Sequence, residues 1–401
     1  MFFRPYGKEY GNMEKPGIYF DNATTSWPKP EAVCQTVERQ LRSGGANPGR
    51  SSHLHSLAAE RLIYESRERV AAFLGAEKAE EIVFTLNATD ALNMAIKGIL
   101  KKGDHVIYSP FEHNSVLRPL ASLREKGLIT TTMLSSVGDV VEAASFDQAI
   151  RAETKLLICT HASNITGRIL PVREIGKVAA LRGVYFLLDA AQTAGAFPLN
   201  LQEIGAHIAA FTGHKSLLGP PGVGLLYLRE GMKIKPWREG GTGSRSDEER
   251  QPAFMPDYLE AGTPNILGIA GLNEGIKFIT TMGVETIRAH ELKLCSRLQQ
   301  GLERIPGVRV FRGASPEAYA AVISFILEGL DSGEIGYILE EAYGILCRTG
   351  LHCAPQAHRA IGTFPGGTVR FSLGCFNTEK EVDHALHALK RVAKDRQGDI
   401  S

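Results

Sequence analysis

The chain has 401 residues, room for two or three average domains or for one large α/β unit with a smaller one attached. Hydrophobic residues at 43% and charged residues at 22% suit a large core, and 45 basic against 44 acidic residues give no field that favours nucleic acid or an anionic membrane surface. No apolar run is long enough to span a bilayer and the opening lacks the charged-then-apolar order of a secretory signal, so neither nucleic acid nor membrane is expected as a partner and the expected location is cytoplasmic.

Residues 1–17 are polar and Gly-rich and read as an arm. Pro28 and Pro30 open a helix in which Val33, Val37 and Leu41 recur every four residues, and Gly44-Gly45 end it. The segment from Gly44 to His55 has loop composition. A long helix from about Leu57 to Leu74 stops at Gly75, and Glu81–Thr85 then reads as a strand before a helix from Ala91 to Leu100. Between them, Asn87-Ala-Thr-Asp90 is a strand-to-helix turn. Its free N–H groups and the positive end of the helix dipole suit a phosphate, although a plain cap by Thr89 or Asp90 explains the same residues. His105–Tyr108 is a short strand leading to Glu112-His-Asn114, and Lys155 begins another that runs out at Asn164, before Ile-Thr-Gly167. Alone, His113 reads as a surface residue and Asn164 as a turn former.

Two cassettes come next. Val184 opens an apolar run that ends in Asp189-Ala-Ala-Gln192, and Ala209-Ala-Phe-Thr leads to Gly-His-Lys215. Both runs have the composition of strands buried on two faces. Carboxyl ends of neighbouring parallel strands face one crevice, so Asp189 and Lys215 meet around a ligand there. Taken singly, such an Asp is usually a cap and such a Lys a surface charge. As a pair they fit pyridoxal 5'-phosphate, which needs an amine for a Schiff base and an acid to keep the pyridinium nitrogen protonated. Pro220 to Leu228 adds a Gly/Pro turn and one more buried strand.

Arg229 to Asn265 is polar and aperiodic, a loop long enough to be functional. From Ile266 the pattern changes: helices at Ile269–Met282 and Val284–Arg304, strands at Val322–Leu327 and Thr368–Ser372, and helices at Ser332–Tyr343, capped by Ser332, and at Val382–Val392. The expected organisation is therefore an arm (1–17), a large unit (18–265) and a smaller α+β unit (266–401), with the arm a candidate to pack on the latter. The cysteines, Cys34, Cys159, Cys295, Cys347, Cys353 and Cys375, form no C-x-x-C pair, which argues against a zinc ribbon or disulfide framework, and no metal site is expected. Cys353 stands in an aperiodic Arg348-Thr-Gly-Leu-His-Cys-Ala-Pro stretch, where the neighbouring cations favour a thiolate if they approach it in space. The alternative is a small inert hydrophobe, which suits Cys34, Cys159 and Cys295 better.

These motifs, from about Tyr19 to about Thr378, resemble the class V aminotransferase family of fold-type I pyridoxal phosphate enzymes, and within it the cysteine desulfurases and the selenocysteine-lyase-like relatives. Arg348-x-Gly-x-x-Cys-Ala is similar to the second, sulfur-mobilisation group. The resemblance implies a mainly parallel seven-stranded sheet in the large unit and a homodimer. It implies a phosphate cup at Thr89, Thr212 and His214, with Ala88 where relatives often have a hydroxyl. It further implies His113 stacked on the pyridine, Asn164 and Gln192 on the phenolic oxygen, Asp189 on the ring nitrogen and Lys215 as the Schiff-base lysine. Arg370 falls at the position that grips the substrate carboxylate, Arg348, Asn164 and His55 lie near the substrate, and Thr263 reaches the phosphate of a partner subunit. The implied reaction converts L-cysteine to L-alanine with a persulfide on Cys353, for passage to a sulfur-acceptor protein. Three alternatives stay open: a selenocysteine lyase, another class V transamination or epimerisation, and a non-catalytic sulfur-relay protein.

Overall fold

The computed structural model describes residues 17–42, 47–48 and 53–398, the last three without their side chains. The expected arm, all but Gly17, and the Gly44-Gly45 helix stop lie outside these residues. The first half of the chain runs β1 (Ile18–Tyr19), α1 (Glu31–Arg42), α2 (Leu54–Leu74), β2 (Ile82–Thr85), α3 (Ala88–Ile99), β3 (Asp104–Tyr108), α4 (Asn114–Glu125), β4 (Ile129–Met133), α5 (Ala143–Ala149) and β5 (Thr154–Thr160). It continues with α6 (Val172–Arg182), β6 (Tyr185–Asp189), α7 (Leu201–Ile204), β7 (Ile208–Thr212) and β8 (Gly224–Leu228). The remainder is α8 (Ile266–Met282), α9 (Val284–Leu302), β9 (Val308–Val310), β10 (Val322–Leu327), α10 (Ser332–Tyr343), β11 (Ile345–Leu346), β12 (Arg348–Gly350), α11 (Pro355–Ala360), β13 (Thr368–Ser372) and α12 (Glu379–Gly398).

Seven strands form one sheet in the order β2-β8-β7-β6-β5-β3-β4, in which β8 runs antiparallel to both neighbours and the other pairs are parallel. Its central strands are apolar on both faces because helices cover both. Phe186 and Leu188 of β6 join one layer with α2, α6 and α8, while Leu187 joins the opposite layer with α3 and α4. This is the two-sided burial that a continuous apolar run encodes. The chain moves outward from β3 to β4 and then returns across β3 to β5, so the carboxyl ends of β3 and β5 flank a topological switch point.

A second, four-stranded antiparallel sheet has the order β12-β13-β10-β9, and its apolar face packs on α9, α10 and α12. Two segments distribute differently from the sequence expectation. β1 pairs with β11 and Phe20 is buried in the smaller module's cluster, whereas α8 packs on α1 and α2 and sends Ile269, Leu272 and Ile276 into the large sheet's layer. The boundary at residue 266 marks a change in polarity along the chain, and packing does not follow it. Helix caps also differ. Asn87 caps α3 through Oδ1, which accepts from Asp90 N at 2.9 Å, and Asp331 rather than Ser332 caps α10. Among the described residues no helix is long and apolar enough to cross a membrane.

Candidate active site

A cavity of about 360 Å³ opens at the carboxyl edge of the seven-stranded sheet, within the range of small-ligand sites. Most residues picked out from the sequence line it: Ala88 and Thr89 from the start of α3, His113 after β3, Asn164 after β5, Asp189 at the end of β6 with Gln192 just beyond it, and Thr212 at the end of β7 with His214 and Lys215 just beyond it. The smaller module contributes Arg348, Cys353 and Arg370. Register explains the convergence: Thr160 is the partner of Asp189, so β5 and β6 end level, and Asp189 is the partner of Ala210, so β7 runs two residues further, to Thr212. His55 and Thr263 do not line this cavity. His55 is exposed near the start of α2 with its ring beside His53, and Thr263 is exposed on the wall of a different cavity with Arg67 and Glu260.

One end of the cavity is built for an anion. The N–H groups of Ala88 and Thr89 have no acceptor among the described residues, as expected in a first helical turn. Gly224 lets this turn approach the sheet, because a Cβ there would stand 2.5 Å from the Asn87 backbone. Thr212 Oγ1 is buried with no hydrogen-bond partner among the described residues, an orphan hydroxyl of the kind a ligand satisfies. Thr89 Oγ1 lies 3.0 Å from Ser115 Oγ, which lies 2.6 Å from His113 Nδ1. Burial, with lesser contributions from Lys215 and Lys29, pushes the His214 imidazole down to about 4, so it stays neutral here.

The amine and the acid sit at the centre. Burial lowers the Lys215 ammonium to about 8, against the opposing pull of the Asp189 charge. Asp189 is buried, and burial raises its carboxyl from the ordinary range. One oxygen accepts from Ala191 N at 3.0 Å and the other accepts from no described group. His113 is pushed down to about 4, first by burial and then by Lys215. Its Nδ1 accepts from Ser115 N at 3.1 Å, which assigns the ring proton to Nε2. Gln192 Nε2 donates to Ala23 C=O at 3.2 Å. The donor set, an amine, a buried carboxylate with an open oxygen, a neutral imidazole and an anion cradle with an orphan hydroxyl, fits pyridoxal phosphate.

The remaining wall carries two guanidinium groups on directly opposed positions of β12 and β13, Arg348 and Arg370, so they share a face. Like charges so placed repel. Asp21 and Thr24 offset the repulsion: Arg370 Nη2 donates to Asp21 Oδ1 and to Thr24 Oγ1, each at 2.8 Å, and Arg348 Nη1 donates to the same Thr24 oxygen at 2.7 Å. Arg370 is 2% exposed, and its Nε has no partner among the described residues.

Cys353 is exposed and, of the six cysteines, the only one lining the cavity. Cys159, Cys295 and Cys375 are buried, with thiols that burial pushes up, as their apolar settings imply. Cys34, by contrast, is exposed on α1. His352 does not supply the cation that the sequence suggested beside Cys353: it is buried, burial holds its imidazole far below the ordinary range, and Nε2 lies 3.2 Å from Thr368 Oγ1. His352 and Cys353 both have positive φ, 47° and 60°, a conformation that costs a side-chain-bearing residue about 1–3 kcal/mol. Sequence reasoning gave no role to Asp21, Thr24 or Ser115. For Asp21 and Thr24 the reason is that their partners, Arg370 and Arg348, lie far along the chain.

Residues 18–385 match the family described as Aminotransferase class-V. A probable cysteine desulfurase of Methanothermobacter thermautotrophicus is 34% identical over 383 residues, covering 94% of this chain and 94% of that protein. The solved structure of a cysteine desulfurase from Thermococcus onnurineus NA1 superposes with a TM-score of 0.89 at 34% identity, over 94% of this chain and 95% of that one. A cysteine desulfurase from Escherichia coli gives 0.85 at 28% identity, again over 94% and 95%. An amine, an acid and a cavity-facing thiol on this fold-type I frame thus accompany similarity along nearly the whole chain, and the chain belongs to the aminotransferase class-V family, among the cysteine desulfurases.

Proposed function

We propose that this enzyme converts L-cysteine to L-alanine, with pyridoxal 5'-phosphate held at the seven-stranded sheet and Cys353 receiving the sulfur. The observation that carries the reading is the meeting of Lys215, Asp189, Arg370 and Cys353 in one cavity. The start of α3, Thr89, Thr212 and His214 would hold the phosphate, and Lys215 would anchor the cofactor through its amine. Asp189, His113, Asn164 and Gln192 would hold its ring. When bound, the cofactor supplies an electron sink for the pair left at the substrate α-carbon.

The chain's own groups do the rest. Arg370 grips the α-carboxylate, using N–H groups that Asp21, Thr24 and the Asn164 carbonyl leave free. Lys215 Nζ, with its pKa lowered to about 8 by burial, moves the α-proton near neutral pH. The Cys353 thiolate attacks the substrate sulfur and the Cβ–S bond breaks. The bonding pair stays with the substrate carbon, a proton returns there to give L-alanine, and a persulfide remains on Cys353. Its exposure lets an acceptor protein collect that sulfur. Thr263, exposed and away from this cavity, is read as a contribution to the phosphate site of a second copy, making the active form a homodimer.

The test is alanine release by the cofactor-loaded protein given L-cysteine and a thiol reductant. Alanine and sulfide in equal amounts are expected. A ketoacid product, or no product, would overturn the reading in favour of another class V reaction or a non-catalytic role.

A further inference from the structure

Leu351 to Ala354 form a four-residue turn closed by Ala354 N–H, which donates to Leu351 C=O at 3.0 Å. Its two central residues, His352 and Cys353, have φ of 47° and 60°. Positive φ at both central positions is the signature of a type I′ turn, a conformation populated mainly by Asn, Asp and Gly. The local sequence therefore opposes the turn that presents the thiol, and tertiary contacts have to hold it.

Both central carbonyls are held. Cys353 C=O accepts from the backbone N–H of Asn114 at 2.8 Å, and His352 C=O accepts from Asn164 Nδ2 at 2.7 Å. Asn164 is thus the only side chain among the described residues that donates to either carbonyl. Its backbone carbonyl accepts from Arg370 Nη1 at 3.1 Å, and it lines the same cavity as Cys353. The residues flanking Cys353 are anchored inside, His352 at 5% exposure and Ala354 at none, so holding the His352 carbonyl fixes where Cys353 projects.

We propose that Asn164 is a positioning residue for sulfur transfer: by holding the His352 carbonyl it keeps the Leu351–Ala354 turn left-handed and the Cys353 thiol at the cavity. The proposal rests on the reading of Cys353 as the sulfur acceptor. It adds to the ring contact that the family resemblance implies for the same amide, since Nδ2 carries two hydrogens and His352 takes one. Cofactor binding and the geometry of the nucleophile then share one side chain.

Asn164→Ala in the cofactor-loaded enzyme tests this by two readouts. The first is hydrogen exchange at the Ala354 amide that closes the turn, and the second is alanine formation from L-cysteine against L-selenocysteine. A selenol leaves more readily than a thiol and depends less on a nucleophile. Expected are Ala354 exchange about tenfold faster, with the seven-stranded sheet unchanged, and a cysteine-to-selenocysteine rate ratio about tenfold lower than in the parent enzyme. Unchanged Ala354 exchange overturns the proposal, and so does an equal fall with both substrates, which would confine Asn164 to the chemistry they share. Asn164→Asp, which keeps the shape and removes the amide donor, serves if the alanine variant loses its cofactor or fails to fold. Cys353→Ala run in parallel separates the two claims: undiminished turnover of L-cysteine in that variant would remove the sulfur-acceptor role itself, while Ala354 exchange in Asn164→Ala still reports whether Asn164 holds the turn.

Discussion

The two walls of the cavity are made differently. On the seven-stranded side, Asp189, Thr212 and Lys215 stand at or just beyond the ends of buried parallel strands, all in unstrained backbone, and their spacing is set by sheet register. On the four-stranded side, Cys353 rides a turn with two side-chain-bearing residues at positive φ, and Arg370 depends on Asp21 and Thr24, which precede it by more than 340 residues. The difference separates two requirements. Groups that hold a cofactor profit from a rigid frame, whereas a thiol that must meet substrate and then hand on sulfur has to stand proud of its sheet, held there by contacts from elsewhere.

Substitutions that break each wall should leave different signatures. The largest effect is expected for Lys215→Ala: alanine formation from either amino acid should fall by at least about a thousandfold, and the visible absorbance of the loaded protein should change, as spectrophotometry will record. Arg370→Lys on the other wall keeps the charge and loses the planar fork, so KM for L-cysteine should rise about tenfold or more while the spectrum without substrate is retained, as initial-rate kinetics will measure. Gly224→Ala should disturb the first wall through its backbone alone. Its Cβ would meet the Asn87 backbone at 2.5 Å, shift the start of α3 and weaken cofactor affinity about tenfold in a fluorescence titration.

The effect confined to stability concerns Glu112, which lies behind the first wall. It is fully buried, and burial pushes its carboxyl from 4.5 up to about 8, while Ser109 Oγ and Thr160 N donate to its Oε1. Between those two values the native state keeps a proton that the unfolded chain has released. This contribution to stability is therefore present at low pH and lost as pH rises towards about 8. Glu112→Gln keeps an acceptor oxygen and abolishes the titration. Relative to the parent it should gain stability between pH 5 and pH 9, on the order of a few kcal/mol, read from urea midpoints.

The same contrast governs what the sequence reveals. The first wall is legible because buried parallel strands are continuous apolar runs, and the polar residue ending each run, such as Asp189 after Phe-Leu-Leu, marks the cavity edge. The second wall is legible only as motifs. Nothing local in Arg348-Thr-Gly-Leu-His-Cys shows that His352 turns inward and neutral while Cys353 turns outward, because buried contacts with Thr368, Asn114 and Asn164 decide it. Asp21 and Thr24 were missed for the same reason, their partners being remote in the chain. The domain boundary read at residue 266 follows loop polarity, which is blind to the packing of α8 on the large sheet.

The most direct test of the account is alanine release by the cofactor-loaded Cys353→Ala enzyme with L-cysteine and with L-selenocysteine. The account predicts a loss of about a hundredfold or more with L-cysteine, substantial retention with L-selenocysteine and an unchanged visible spectrum. Parent-like turnover of L-cysteine by Cys353→Ala would contradict it.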